Sequence, residues 1–187
     1  LCCDPALVYE NYEGGSAKLD LCIELIQSAV ESGHKILLFS QFTSMIEILT
    51  ARLQEESISC FVLQGSTKKE QRAQMVEQFN RDDTSVFCIS LKAGGTGLNP
   101  TAADIVIHYD PWWNVAVENQ ATDRAHRIGQ KNVVTVYKLI AKGTIEEKII
   151  KLQQMKKELA EEILSGDEIK TASFQREELL ELLEERF

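Results

Sequence analysis

The sequence predicts an α/β protein: an open, mostly parallel sheet with helices on both faces, followed by a C-terminal helical extension. Short apolar runs of strand length alternate along the chain with longer stretches that have the apolar spacing of helices. The apolar runs show little polar alternation, which is typical of strands that are buried on both faces. The segments between successive runs are long enough for right-handed crossovers, so the strands are predicted to run in one direction.

Five strands are predicted from these runs, at residues 35–39, 58–63, 86–90, 105–109 and 133–140. In a parallel sheet the carboxyl ends of all strands lie at one edge, where ligands bind in open α/β folds. Four stretches of unusual composition directly follow predicted strands: Ser40–Phe42, Gln64–Thr67, Lys92–Asn99 and Asp110–Asn114. We therefore expect these stretches to meet at one edge and to form the functional site.

The predicted helices begin at residues whose side chains can accept a hydrogen bond from a free backbone N–H. Ser16 is predicted to cap the first helix, which runs to about Ser32. Three pairs have capping-box spacing and mark the starts of later helices: Ser44 with Glu47, Thr67 with Glu70, and Thr144 with Glu147. The helix after Thr144 is long, and a short acidic amphipathic helix is predicted at residues 175–185.

The chain has 187 residues, of which 44% are hydrophobic and 26% are charged, an ordinary composition for a globular protein. It is predicted to divide into an irregular lead-in at 1–15, a sheet domain at 16–143 and a helical extension at 144–187. No apolar run approaches the ~20 residues that a membrane helix needs, so no membrane partner is predicted. The first residues, Leu-Cys-Cys-Asp-Pro, indicate a cut inside a longer protein.

The net charge of −9 is distributed unevenly. Residues 64–148 carry eleven Lys and Arg against ten Asp and Glu, a net charge of +1, so the remainder carries −10. The middle of the chain is therefore compatible with a local basic strip that binds nucleic acid. The five cysteines form no CxxC pair, and Cys22, Cys60 and Cys88 lie in apolar runs, which predicts core thiols. No set of His, Cys, Asp and Glu has the spacing of metal ligands, so no metal site is predicted.

One stretch begins at Gln120 and reads Gln-Ala-Thr-Asp-Arg-Ala-His-Arg-Ile-Gly-Gln. On a helix, Arg124 and Arg127 leave the same face, and Gln120 lies on that face one turn earlier. Two guanidinium groups on one face suit a triphosphate, because each planar fork can bind phosphate oxygens in pairs. The alternative is an exposed basic helix face whose arginines form ion pairs with Asp123 and Glu118.

Two of the stretches at strand ends have features of anion sites. Lys92–Asn99 contains three glycines within four positions, which allows backbone amides to approach an anion closely. It is not a Walker phosphate loop, because no Lys follows the last glycine, and the alternative is a flexible turn. Gln64–Thr67 places hydroxyls and amides at a predicted helix N-terminus, flanked by Lys68, Lys69 and Arg72. Its alternative is an ordinary cap with solvated charges.

Aromatic and histidine side chains accompany these stretches. Trp112 and Trp113 are expected either to pack in the core or to stack on a base or a partner surface. His108 ends a predicted strand and is expected to be structural. His126 lies between the two arginines, where it either tunes them or packs.

Four of these segments, in this order, resemble the C-terminal helicase-like lobe of SWI/SNF-type ATPases of helicase superfamily two. The segments are Phe39–Phe42, Ser90–Asn99, Asp110–Asn114 and Gln120–Gln130, and the resemblance covers roughly residues 16–165. It implies a RecA-like fold for the sheet domain. The long helix after Gly143 resembles the brace helix of that family.

The resemblance also implies roles for residues at the matching positions. Arg124 and Arg127 are expected to be arginine fingers that reach the γ-phosphate of ATP, and Gln120 is expected to help set them. Further nucleotide contacts are implied for Gly95, Thr96 and Gly97. Contacts with the phosphates of one DNA strand are implied for Gln41, Gly65, Ser66, Thr67, Lys92 and Thr96. A coupling role between nucleotide state and the grip on DNA is implied for Trp112 and Trp113.

By the same resemblance, ATP and Mg²⁺ are held mainly by a preceding RecA-like lobe of the same protein, and the other partner is double-stranded DNA. The chain has no GxxxxGK[ST] motif and no DExH motif after a strand, so alone it is expected to be inactive. The complete protein is expected to be a DNA-dependent ATPase, nuclear in a eukaryote and cytoplasmic or nucleoid-associated in a bacterium. Two other hypotheses remain at this point: a non-catalytic protein-interaction module on the same fold, and a strand-separating helicase.

Overall fold

The computed structural model describes residues 1–12, 14–91, 93, 99–123 and 133–165, and of residues 159–165 it describes the backbone alone. Its strands are β1 (Ile36–Ser40), β2 (Cys60–Leu63), β3 (Val86–Ser90), β4 (Ile105–His108) and β5 (Thr135–Lys138). They form one sheet in the order β2-β3-β1-β4-β5, and every pair of neighbours is parallel. The prediction of an open parallel sheet is therefore confirmed.

The helices are α1 (Ala17–Glu31), α2 (Thr43–Glu55), α3 (Lys69–Arg81), α4 (Val115–Thr122) and α5 (Ile145–Ser165), and a short 3₁₀ turn spans Pro5–Leu7. Helices cover both faces of the sheet, as the packing of the central strand β1 shows. Successive residues of β1 point to opposite sides of the sheet. Ile36 and Leu38 join a cluster with α1 and α2, whereas Leu37 and Phe39 join a cluster with α3 and α4. None of the described helices is both long enough and apolar enough to cross a membrane.

Two of the predicted capping boxes are wrong. The N-cap of α2 is Phe42, which makes no side-chain cap, and Ser44 lies inside the first turn. The backbone N–H of Phe42 donates instead to Ser40 Oγ (3.2 Å). The N-cap of α3 is Lys68, again without a side-chain bond, because the Thr67 hydroxyl accepts a hydrogen bond from the backbone N–H of Gln64 (3.1 Å). Before each helix a hydroxyl side chain, Ser40 before α2 and Thr67 before α3, accepts a hydrogen bond within the loop. The spacing of residues alone does not distinguish such a loop contact from a helix cap.

The other two predicted helix starts are confirmed. Ser16 is the N-cap of α1, and its Oγ accepts a hydrogen bond from Leu19 N. At the start of α5, Thr144 Oγ1 accepts from Glu146 N (3.2 Å), and the Glu147 carboxylate accepts from Gly143 N (2.9 Å). These bonds satisfy backbone donors that have no partner within a helix.

Strand limits differ from the prediction mainly where a strand lies at the edge of the sheet or next to a helix end. Ile58, predicted to start a strand, donates its backbone N–H to Leu53 O (2.9 Å) and so completes the end of α2. β5, one of the two edge strands, is shorter than predicted, and all four of its residues are exposed. Cys22 and Cys88 are buried as predicted, and Cys60 is partly buried. The domain limits at 15/16 and 143/144 stay predictions.

Candidate functional site

The loops after β1 and β4 are joined by one buried carboxylate. Asp110 accepts hydrogen bonds from Ser40 Oγ and from the backbone N–H of Gln41 (3.0 Å), and it is 1% exposed. The Gln41 amide Nε2 donates to Pro111 O (3.3 Å) and closes the junction. The structure thus brings together two stretches whose meeting was predicted from their order along the chain.

Asp110 was missed as an individual site residue, although it stands inside a motif that was singled out. Burial raises the pKa of its carboxyl, and the hydrogen bonds from Ser40 and Gln41 only partly oppose that effect. Because its bonds join the loop after β1 to the loop after β4, it fixes the geometry of this part of the edge. A carboxylate directly after a buried strand is the signal that could have identified it.

The loop after β2 presents its backbone to solvent. Gly65 and Ser66 are exposed, and a Cβ atom built on Gly65 would meet nothing within 4 Å. Thr67 is partly buried, with its hydroxyl engaged by Gln64 N. Arg72, from the first half of α3, donates to carbonyl oxygens in this loop and to Ala93 O (3.3 Å), at the start of the glycine-rich stretch. The loops after β2 and β3 are therefore held together by one guanidinium group.

The helix that was predicted to present the arginines is described only in its first part. α4 is capped by Asn114, whose side chain accepts from Ala116 N, and Asp123 is its C-cap. Gln120 is exposed, whereas Ala121 is 4% exposed and packs in the core cluster on the α3 side of the sheet. The side of α4 that carries Gln120 is therefore directed to solvent.

Several predicted site residues lie outside the described residues, so their roles stay predictions. These residues are Lys92, Gly95, Thr96, Gly97, Arg124, His126 and Arg127.

The two tryptophans have different environments. Trp112 is partly buried and packs against the core cluster on the α3 side of the sheet, which matches the structural alternative. Trp113 is 50% exposed and lines a cleft of about 480 Å³ with Phe42, Pro111 and Ile149. Trp113 therefore exposes more of its ring to a partner than Trp112 does.

A buried cluster around Glu118 fixes the backbone beside Trp112. Glu118 is 1% exposed and forms an ion pair with Lys138 on β5. Its Oε2 accepts from Gln153 Nε2 on α5 (3.1 Å) and from the backbone N–H of Trp112 (3.4 Å). Gln153 also donates to Trp112 O. Burial alone would raise the pKa of the Glu118 carboxyl, but the hydrogen bond from Lys138 and nearby positive charge lower it on balance.

Sequence reasoning missed the role of Glu118 and considered it only as an exposed partner for the arginines. Its neighbour His108 is buried, and the His108 ring stacks on Phe39. His108 Nε2 shares a hydrogen bond with Thr122 Oγ1 (2.9 Å). Burial lowers the pKa of His108 to about 4, so its ring is neutral at physiological pH. The prediction that His108 is structural is confirmed.

An ion pair with both side chains largely buried fixes the start of α5. Lys18 Nζ lies 2.7 Å from both carboxylate oxygens of Glu146, and the two side chains are 9% and 4% exposed. Lys18 also lies over the ring of Tyr109, 5.1 Å from its centroid. Within the described part of the chain, no three His, Cys, Asp or Glu side chains are grouped so that they could hold a metal ion.

Comparison with known proteins places this fold in a family. Residues 17–129 match the model of the helicase conserved C-terminal domain. A Mycoplasma pneumoniae protein, described as an uncharacterized ATP-dependent helicase, is 47% identical over 170 residues, which are 90% of this chain and 16% of that protein. The human chromatin-remodeling ATPase INO80 is 43% identical over 169 residues, 90% of this chain and 11% of that protein. The chain thus spans less than a fifth of the length of these relatives.

A solved structure gives the same result. The C-terminal domain of a SWI2/SNF2 ATPase from Sulfolobus solfataricus superposes with a TM-score of 0.67 and 35% identity, covering 85% of this chain and 65% of that one. Family model, relatives and solved structure agree: the chain belongs to the helicase conserved C-terminal domain family, as a C-terminal RecA-like lobe of the SWI2/SNF2 ATPase type.

Proposed function

We propose that this chain is the second motor lobe of an ATP-dependent double-stranded DNA translocase, of the kind found in chromatin-remodelling ATPases. Its arginine side chains contact the nucleotide, and the backbone of its loops contacts the DNA. The Walker lysine, and with it most of the binding of ATP and Mg²⁺, belongs to a preceding RecA-like lobe of the same protein. ATP turnover therefore requires both lobes.

The observation that supports this proposal most strongly is the carboxyl edge of the sheet. Gln41 and the Asp110–Asn114 stretch are joined there, and Gly65 and Ser66 are exposed at the same edge. Ligands of open parallel sheets bind at that edge. Relatives of this chain are named as ATP-dependent helicases and chromatin-remodelling ATPases, which agrees with a nucleotide-driven motor.

On the nucleotide side, the argument rests on the orientation of α4. Its apolar side, with Ala121, packs on the sheet, and Gln120 faces solvent. In the sequence, Arg124 and Arg127 follow Gln120 at a spacing that predicts the same helix face, and we place their guanidinium groups on the nucleotide side. There they can stabilise the negative charge that develops on a transferred phosphoryl group, together with Gly95, Thr96 and Gly97.

On the DNA side, Gly65 and Ser66 expose backbone and a hydroxyl, and the partly buried Gln41 and Thr67 flank them at the same edge. Groups of this kind bind phosphate oxygens and hold a duplex without reading its sequence. Phosphate contacts of Gln41, Thr67, Lys92 and Thr96 are included in the proposal on the resemblance. Trp113, exposed at the same edge, and Trp112, whose backbone is bonded to α4 and α5, would couple nucleotide state to this grip.

The test of this proposal is the variant Arg127→Ala in the complete protein. DNA-stimulated ATP turnover should fall about a thousandfold or more, because an arginine finger stabilises transition-state charge. Duplex DNA binding should remain close to that of the wild type. Steady-state ATPase assays with and without duplex DNA, together with fluorescence anisotropy of labelled DNA, measure both effects.

Arg81→Ala is the matched control, since Arg81 lies at the far end of α3, is exposed and pairs only with Glu77 on its own helix among the described residues. It should leave turnover unchanged. Near-normal turnover of the Arg127→Ala protein would remove that arginine from the nucleotide site. Absence of any DNA-stimulated turnover in the wild-type protein would favour the non-catalytic interaction module instead.

A further inference from the structure

Arg72 was expected to be one of three cations that flank an anion site, but its contacts are of another kind. Lys68 and Lys69 are exposed, whereas Arg72 is partly buried beneath the loop after β2. Its guanidinium group donates to the carbonyl oxygens of Thr67 (Nε, 2.8 Å) and Gly65 (Nη2, 3.0 Å). It also donates to the carbonyls of Gln64 (Nη2, 3.4 Å) and Ala93 (Nη1, 3.3 Å). These acceptors are all backbone oxygens, and they come from two separate loops.

The directions of these carbonyl groups determine the directions of the neighbouring amides. No described peptide bond is cis, and in a trans peptide the C=O and the following N–H point in opposite directions. The carbonyls of Gly65 and Thr67 point at Arg72, so the N–H groups of Ser66 and Lys68 point away from it. They emerge on the side of the loop where Gly65 and Ser66 are exposed.

We propose that Arg72 is a positioning residue for DNA binding: it holds the loops after β2 and β3 in register and directs the backbone N–H groups of Ser66 and Lys68 at a DNA phosphate. This inference rests on the proposed function for its ligand. It differs from a direct role, because Arg72 contacts the loop carbonyls and the phosphate is bound by the amides that those carbonyls orient.

The planar fork of arginine is needed for this arrangement. Arginine has five N–H donors in a fixed geometry, which can reach acceptors on two loops at once. Lysine has a single ammonium at the end of a flexible stem and cannot span the same set of carbonyls. At a simple phosphate contact, in contrast, lysine is an effective replacement, because it retains the positive charge.

The experiment uses the complete protein and the variant Arg72→Lys, with duplex DNA binding measured by anisotropy over a series of salt concentrations. We expect the affinity to fall about tenfold, as the loss of one to two hydrogen-bonded contacts would produce. The slope of log affinity against log salt should stay unchanged, because no charge is removed. Arg81→Lys on the same helix is the matched control and should have no effect. Affinity of the Arg72→Lys protein within about twofold of the wild type would show that the guanidinium fork is not required for DNA binding and would overturn the proposal.

A second measurement does not depend on DNA. Hydrogen exchange of the complete protein without DNA should be faster in the Arg72→Lys variant at the hydrogen-bonded amides of Gln64, Thr67 and Leu91, and unchanged at β1 (Ile36–Ser40). Unchanged protection of the two loops would overturn the positioning role even if DNA binding falls. If the wild-type protein does not bind DNA but the loops lose protection in the variant, the proposed function is wrong and the structural part of this inference stands.

Discussion

The two halves of the carboxyl edge hold their loops by different means. At the β1–β4–β5 side, the loops are fixed by buried side-chain carboxylates, Asp110 and Glu118, each 1% exposed. At the β2–β3 side, the loops are fixed through their own carbonyl groups by one partly buried arginine, Arg72. The first half contains charges that water does not reach, and the second half leaves the backbone of Gly65 and Ser66 exposed.

Because of this difference, a substitution in the first half should change protein stability, and one in the second half should change ligand binding. A buried charge whose partner is removed destabilises the whole fold, because its desolvation is no longer compensated. An exposed loop carries little of the folding free energy, so a change there alters ligand binding and leaves stability nearly unchanged. Substitutions in the two halves should therefore separate stability from binding.

The largest expected effect is that of Lys138→Met, which leaves the Glu118 carboxylate buried without its cation. We expect the free energy of unfolding at neutral pH to fall by about 3 kcal/mol, the low end for a buried charge that loses its partner, because Lys138 itself is 39% exposed. Urea denaturation measures the change. Lys142→Met is the matched control, since Lys142 is exposed, and it should change the free energy by less than about 0.5 kcal/mol.

The pH dependence of the same variant gives an independent check. In the wild type the pKa of Glu118 is lowered, so its contribution to stability is present above its unfolded pKa and is lost as the pH falls. Without Lys138, burial raises that pKa, and the sign reverses: stability is lost as the pH rises through the folded pKa. The deficit of the Lys138→Met protein should thus be smaller near about pH 5 than at neutral pH. A deficit that does not vary with pH would mean that Glu118 is not the charge left unpaired.

A smaller loss is expected for Asp110→Ala, which removes the acceptor of the Ser40 hydroxyl and the Gln41 N–H. Leaving these donors buried without a partner should lower the free energy of unfolding by about 2 kcal/mol. The loops after β1 and β4 should also exchange amide hydrogens faster. The exposed Asp83→Ala serves as control. An unchanged stability would mean that water replaces the carboxylate, and that this half of the edge is less rigid than its contacts indicate.

The smallest effect on stability is expected for Gly65→Ala. A Cβ atom there meets nothing within 4 Å and Gly65 has no positive φ, so the free energy of unfolding should change by less than about 0.5 kcal/mol. Duplex DNA affinity should nevertheless fall several-fold if a phosphate lies against this backbone. Gly33→Ala is the opposite control: Gly33 has φ +79°, so alanine is strained there and should cost about 1 kcal/mol without any effect on DNA binding. Unchanged DNA affinity of the Gly65→Ala protein would separate this loop from the interface.

Those features of the fold that depend on periodicity and order could be predicted from the sequence. β3 was predicted at its observed limits, and the meeting of Gln41 with the Asp110–Asn114 stretch followed from the parallel order of the strands. The limits of the edge strand β5 could not be predicted as well, because its pairing on one side only does not change its apolar pattern.

The polar contacts were less predictable, since a side chain's partner depends on residues far away in sequence. Glu118 has the local pattern of a surface residue, and only the approach of Lys138 and Gln153 makes its burial possible. Arg72 is similar: the spacing places it beside an anion site, but the carbonyls that it binds are contributed by folded loops. Thr67 has the spacing of a cap and yet serves the turn before the helix.

Polar contacts hold the first turns of α5 to the sheet, and this affects how far the other end of the helix moves. Lys18 bonds to Glu146 and Gln153 bonds to Glu118, so the first turns of α5 rotate with the sheet as one body. α5 continues to Ser165, and a helix of 21 residues is about 30 Å long. A rotation of the lobe by about 10° therefore sweeps the far tip through about 5 Å, several times the displacement near the hinge. The length of α5 therefore magnifies small rotations of the sheet at Ser165, the last residue that the structure describes.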